Sequence, residues 1–272
     1  MKKIYILVIL VITHACLFAD LIITRQEGDF VSQEIYSQGK FAEVIDNRVV
    51  SVWDFRNMTL MMIGYEINAY TIIDFNSFKK EITKQTNAEI AKEVDSLDDE
   101  TKNMMIESTK ALYSRLAPRV RVVEDTVMIA NYPSFEYKVL NDTLTIQRLW
   151  ISPKLKEEIG KEIPIASMQK VEALFKERRA KLLAALGLTI DSITEAVEAI
   201  EQNGYIMKRF DYGMRTKSNP AIYAAVESVD NSISEVSHMK VDNAVFLPPK
   251  GFKKLSYSNY QIQMIKYMEG LE

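Results

Sequence analysis

The chain has 272 residues, 47% hydrophobic and 26% charged, with a formal net charge of −3. This is ordinary globular composition, with length enough to bury a large core. A slight acidic excess argues against a nucleic-acid partner, and a single cysteine excludes a disulfide framework within the chain.

The first nineteen residues stand apart. Lys2 and Lys3 precede an unbroken apolar run from Ile4 to Ile12, and a short segment ending Leu17-Phe18-Ala19 precedes Asp20. That three-part layout predicts a secretory signal peptide over 1–19. Its apolar run is too short to span a bilayer, which needs roughly 20 residues. Cys16 is the only cysteine; Thr13, His14 and Ala15 before it fit a lipid-attachment motif poorly. Cleavage after Ala19 is the expected processing, which leaves 20–272 as a single domain. The periplasm is the expected compartment, ahead of an outer-membrane lipoprotein anchored through Cys16. Removing 1–19 lowers the formal net charge from −3 to −5. The mature chain has no run of transmembrane length.

From Asp20 to Asp74 the chain reads as six short strands, LIITRQ, FVSQEIYS, KFAEVI, RVVSVWDF, MTLMMIG and AYTIIDF. Turn residues such as Gln38-Gly39 and Asp46-Asn47 separate them, which predicts an antiparallel meander. Residues 77–116 have no Gly or Pro, and Phe78, Ile82, Ile90, Val94, Leu97, Met105, Leu112 and Leu116 recur at helical spacing. Three strands follow over 119–151. Ser152-Pro153 marks a helix start, and a stripe from Met168 through Val171 and Phe175 to Leu186 runs until Gly187. Ser192 and Glu195 open a shorter helix that Gly204 ends. Four more strands are expected, YIMKRFDY, AIYAAVESV, SEVSHMKV and AVFLPP. A tail helix follows, starting with Ser258 and Gln261 at capping-box spacing. The fold class this implies is α+β, a curved antiparallel sheet in the form of an unclosed half-barrel, with helices on or in its concave face.

Catalytic chemistry is thin. Beyond residue 19 the only histidine is His238 and there is no cysteine, which excludes a Cys/His nucleophile pair, a thiolate zinc site and any site needing two histidines. Ser77–Lys80 and Ser167–Lys170 match a Ser-x-x-Lys spacing, as chance allows in a chain this rich in both residues. Asp98-Asp99-Glu100 and Glu157-Glu158 read as solvated helical charge, and so does the run Lys176–Lys181. Asp54 and Asp74 close apolar strands and read as turn residues. No glycine-rich phosphate loop is present. No catalytic residue, metal site or cofactor is expected.

The unusual stretch is NMTLMMIG, residues 57–64. Read as a strand, it sends Met58, Leu60 and Met62 to one face and Thr59, Met61 and Ile63 to the other. A strand apolar on both faces is covered on both sides. Methionine repacks around partners of variable shape, so such a strand suits a core or a poorly shaped apolar ligand. The candidate lining is Trp53, Met58, Leu60, Met62 and Trp150, with Met104 and Met105 as a lid.

The segment IYSQGKFAEVIDNRVVSVWDFRNMTLMMIGYEINAYTIIDF resembles the opening strands of the outer-membrane lipoprotein-carrier superfamily (LolA/LolB-like), and more closely a group of secreted bacterial proteins near it. Tyr36, Gly39-Lys40, Asp54, Tyr70 and Asp74 fall in the order of that pattern. FEYKVLNDTLTIQRLWIS resembles its paired strands with a central tryptophan. AVFLPPKGFKKL, with Phe246, Pro249, Gly251 and Phe252, resembles its closing element. The helical segments at 77–117 and 153–203 are long for that type. The resemblance implies an unclosed barrel with helices over an apolar cavity and a periplasmic role with lipid or lipoprotein.

The expected function is therefore non-enzymatic binding of a hydrophobic ligand such as a lipid or acyl chain, with an envelope protein as a further partner. The alternatives are an envelope protein whose sheet is filled by its own helices, and a hydrolase using two facing carboxylates.

Overall fold

The structure is a computed structural model that describes residues 19–27, 30–77, 79, 87, 97–113, 118–141, 143–185, 192–212 and 231–270. The expected signal peptide, Cys16, strand 221–229, the side chain of Met105 and most of helix 77–96 lie outside them.

The strands are β1 Asp20–Glu27, β2 Phe30–Ser37, β3 Lys40–Ile45, β4 Arg48–Asp54, β5 Thr59–Gly64 and β6 Ala69–Asp74, then β7 Pro118–Ile129, β8 Tyr132–Asn141, β9 Leu144–Ser152, β10 Tyr205–Asp211, β11 Asn231–Met239 and β12 Lys253–Leu255. The helices are α1 Asp99–Tyr113, α2 Pro153–Glu162, α3 Ile165–Ala185, α4 Ser192–Glu201 and α5 Tyr257–Met268. The fold is α+β. The strand order is β12-β6-β5-β4-β3-β2-β1-β11-β10-β9-β8-β7, and it does not close. The ladders from β1 to β6 and from β7 to β11 are antiparallel, whereas β12 joins β6 in parallel.

By contacts the chain forms two compact units. Unit 1 comprises 1–74, 158–165 and 234–272, and unit 2 comprises 75–157 and 166–233.

In unit 1 the hairpins follow from turn chemistry. Gln38 (φ 47°) with Gly39 (φ 86°), and Asp46 (48°) with Asn47 (62°), put both central residues in the left-handed region. Two-residue hairpin turns of that kind match the right-handed twist of the strands. One face of the sheet carries Ile22, Ile35, Ala42, Val52 and Met61. These cluster with Ile63 and with Phe246 of the 3₁₀ turn Asn243–Phe246.

In unit 2, α4 lays Ile193, Val197 and Ile200 on Val139, Ile146, Leu149 and Ile151 of β8 and β9. Asp98 precedes α1 and accepts from the Thr101 N–H (2.7 Å) and hydroxyl (2.8 Å), which holds its carboxyl below the ordinary range.

Four expectations are corrected. Met58 lies in the turn before β5, not in the strand, with φ 55°. Asp54 Oδ1 accepts from the N–H groups of Arg56 (3.1 Å) and Asn57 (2.9 Å), and the tightened turn needs a left-handed residue to rejoin the ladder. The helix from Pro153 does not run on to 186. It breaks at Ile163-Pro164, because proline has no N–H and its ring crowds the preceding turn. AVFLPP is a 3₁₀ turn, where Asp242 accepts from the Ala244 N–H (2.9 Å) and Phe246 turns into the core. The tail helix starts two residues earlier than read: its cap is Ser256, not Ser258, through the Asn259 N–H at 3.4 Å.

Candidate functional site

The second face of unit 1's sheet gathers most of the candidate residues. Leu21, Tyr36, Phe41, Trp53, Leu60 and Ile73 stand opposite one another in turn from β1 to β6, so they share one face. Tyr36 stacks on Phe41, with centroids 5.0 Å apart, and Trp53 stacks on Phe55 at 6.1 Å. Leu21, Tyr36, Leu60 and Ile73 are buried, but Phe41 and Trp53 in the middle of the row are only half-buried.

The neighbouring row on this face is mixed. Met62 lies between Ser51 of β4 and Thr71 of β6 and is half-buried. The Ser51 hydroxyl donates to Glu43 Oε2 at 3.1 Å. Glu34 is tied to Arg25 Nε (2.9 Å) and to the Tyr36 hydroxyl (2.6 Å), which makes it an ion-pair partner built into the sheet. Thr71 is fully buried, and its Oγ1 has no hydrogen-bond partner among the described residues.

At the far end of β5 the face is roofed by α5. A Cβ on Gly64 would lie 3.1 Å from Met264 Sδ and 3.2 Å from the Tyr260 hydroxyl, so glycine permits this close approach. At the β2–β3 turn, the Gly39 N–H donates to the Glu162 carbonyl at 2.6 Å and brings up the end of α2. Between these covers, Phe41, Trp53 and Met62 form the partly open stretch.

Trp53, Leu60 and Met62 are thus brought together. Met58 is displaced into the turn. Trp150 belongs to unit 2, on the opposite face from the α4 cluster. There it meets Phe210 edge-on (5.6 Å), under the guanidinium of Arg148 (4.7 Å) and the Lys208 ammonium (5.8 Å). Arg148 in turn donates to Glu136 at 2.7 Å, with Lys138 at 3.6 Å, and that hydrogen bond pushes the Arg148 pKa further up. Trp150 is 6% exposed and covered by cations. Arg148, two residues before it and so on the same strand face, was a readable sign of that cover. Met104, the expected lid residue, is 65% exposed on α1.

The remaining sequence candidates have structural duties. His238 Nε2 lies 3.3 Å from Glu158 Oε2 in the middle of α2. Nearby, burial pushes the Glu162 carboxyl up; the Gln38 N–H pulls it back, Asp20 adds to the rise and His238 opposes it. Lys176 pairs with Glu198 (2.9 Å), and Lys181 with Glu177 (3.0 Å). Among the described residues no three His, Cys, Asp or Glu side chains are placed to hold a metal, and no helix is long and apolar enough to cross a membrane.

No family model and no curated protein matches the chain. Among solved structures it is similar to PNGF-II in its C2 crystal form, with a TM-score of 0.38 and 10% identity over 91% of this chain and 33% of that one. The P21 form gives a TM-score of 0.37 and 9% identity over 91% and 34%. An uncharacterized conserved protein from Thermus thermophilus gives a TM-score of 0.36 and 7% identity over 89% and 92%. The chain spans about a third of the length of PNGF-II. Likenesses this loose carry no functional argument.

Proposed function

We propose that the protein is a non-enzymatic envelope protein, exported to the periplasm, that holds an apolar ligand such as an acyl chain or lipid on the second face of unit 1's sheet. The observation that carries this reading is the half-buried stretch of Phe41, Trp53 and Met62 within a row whose flanking members are buried. A flat indole and an unbranched thioether give contact area without a fixed shape, which suits an acyl chain. Each methylene withdrawn from water there contributes about 0.8 kcal/mol, so a long chain needs little directional chemistry. The lipoprotein-carrier-like order of strand residues and the signal-peptide layout of the first nineteen residues point the same way.

Native mass spectrometry of the protein purified from bacteria, followed by lipid extraction, tests this. The expected result is a bound species of acyl-lipid mass that Met62→Lys and Trp53→Lys both remove while the fold persists by circular dichroism. A clean apo mass, with no uptake of added phospholipid, contradicts it and leaves a sheet filled by the chain's own elements.

A further inference from the structure

Unit 2 has an opening of about 310 Å³ on the helix-covered side of its sheet. That volume lies at the lower end of small-molecule sites. Its walls come from positions far apart in sequence: Gln147 on β9, Arg209 on β10, Arg179 on α3, and Thr194 and Glu201 on α4.

Three of these groups have unused hydrogen-bonding capacity. Gln147 is 8% exposed; its Nε2 donates to Asp211 Oδ2 at 3.0 Å, and its Oε1 has no partner among the described residues. The Glu201 carboxylate accepts no hydrogen bond among the described residues. Burial pushes it up, Arg209 opposes that, and Glu198 adds to the rise. Arg209 has its guanidinium 3.7 Å from Asp211 Oδ2, a loose ion pair that leaves its donors available.

The charges that line the opening cancel: Arg179 and Arg209 are matched by Glu198 and Glu201. Such a site gives no net attraction to an anion or a cation. It offers an acceptor at Glu201 beside a donor at Arg209, with the Gln147 side chain in the wall, over an apolar patch from Ile193 and Val197. A hydroxyl both donates and accepts, and a ring of hydroxyls has an apolar C–H face.

We propose that this opening is a second ligand site, separate from the apolar face of unit 1, that takes a neutral polyhydroxylated molecule of about one sugar ring. Saturation-transfer NMR and calorimetric titration of the whole purified protein test it. The probes are methyl α-glucopyranoside, N-acetylglucosamine and myo-inositol, with glucuronate and glucosamine as charged counterparts. Saturable binding of at least one neutral probe is expected, with both charged counterparts weaker. Arg209→Ala is expected to weaken it at least about tenfold, the equivalent of one charged hydrogen bond. Arg209 is partly exposed, so that variant keeps the fold. Trp53→Lys leaves sugar binding unchanged, which separates this site from the lipid reading. Failure of every neutral probe, tighter binding of a charged one, or full affinity in Arg209→Ala each overturns the proposal.

Discussion

Met61 and Met62 are consecutive in unit 1, and Leu149 and Trp150 are consecutive in unit 2. Met61 is buried against the Phe246 cluster while Met62, on the other face, is half-open. Leu149 is buried beneath α4, and Trp150 on the other face is buried too, under Arg148 and Lys208. Both parts of the sheet carry large apolar side chains on two faces, yet they close the second face by different means. Unit 2 covers its aromatic with the long stems and charged heads of its own neighbours, which lie over the ring. Unit 1 covers the ends of its second face and leaves the middle partly bare. A large apolar residue on a strand is therefore not by itself a sign of a binding face; what its cross-strand neighbours do to it decides.

The strongest contrast is expected at the methionine pair. Met61→Ala should cost about 2–5 kcal/mol in denaturant unfolding, as for a buried methionine, and Met62→Ala only about 1 kcal/mol. Equal costs would mean that both faces of unit 1 are equally closed. Next comes the cover over Trp150. Glu136→Gln removes the carboxylate from Arg148 and Lys138, and is expected to cost about 1–3 kcal/mol, with a red shift of Trp150 emission as Arg148 loses its anchor. Unchanged emission would show that Phe210 and Lys208 hold the indole without Arg148.

A smaller effect is expected at the turn before β5. Met58 sits at φ 55°, which strains an L-residue by about 1–2 kcal/mol, so Met58→Gly should raise stability by a few tenths to about 1 kcal/mol. It should also leave lipid uptake intact, because Met58 is not on the face of Trp53 and Met62. The smallest is at Glu201. Its folded-state pKa is raised by burial, so the folded chain holds that proton more tightly than the unfolded one. The stability this gives is full below the ordinary carboxylate range and is lost as pH rises through the raised value. Glu201→Gln is expected to raise the midpoint slightly at pH 7 and to flatten that part of the pH profile.

Much of the fold was legible in sequence because alternation and turn residues agree. Gln38-Gly39 and Asp46-Asn47 sit where two-residue turns need left-handed backbone, and the strands between them start and stop accordingly. The misreadings came where local signals compete. Pro164 outranked a good helical stripe, and Asp242 capped a turn inside an apolar run that reads as a strand. Met58 carried no signal, since methionine is an uncommon choice for left-handed backbone. The two units were not legible as such, because the chain passes between them at 74, 157, 165 and 233 and leaves no linker. Of the candidate lining residues, only Leu60 and Met62 share a face by parity; Trp53 joins them through register. Phe41 was reachable only through register, and the polar opening of unit 2 joins positions up to 62 residues apart, from Gln147 to Arg209.

The chain has two tryptophans, one on each kind of face. Emission of a Trp150→Phe variant, which leaves Trp53 as sole reporter, should be followed during titration with a long-chain lysophospholipid below its micellar concentration. A saturable blue shift, absent when Trp150 is the sole reporter in Trp53→Phe, is the result expected if the open stretch of unit 1 binds an acyl chain. A Trp53 spectrum that stays fixed while the lipid binds elsewhere, or does not bind, contradicts it.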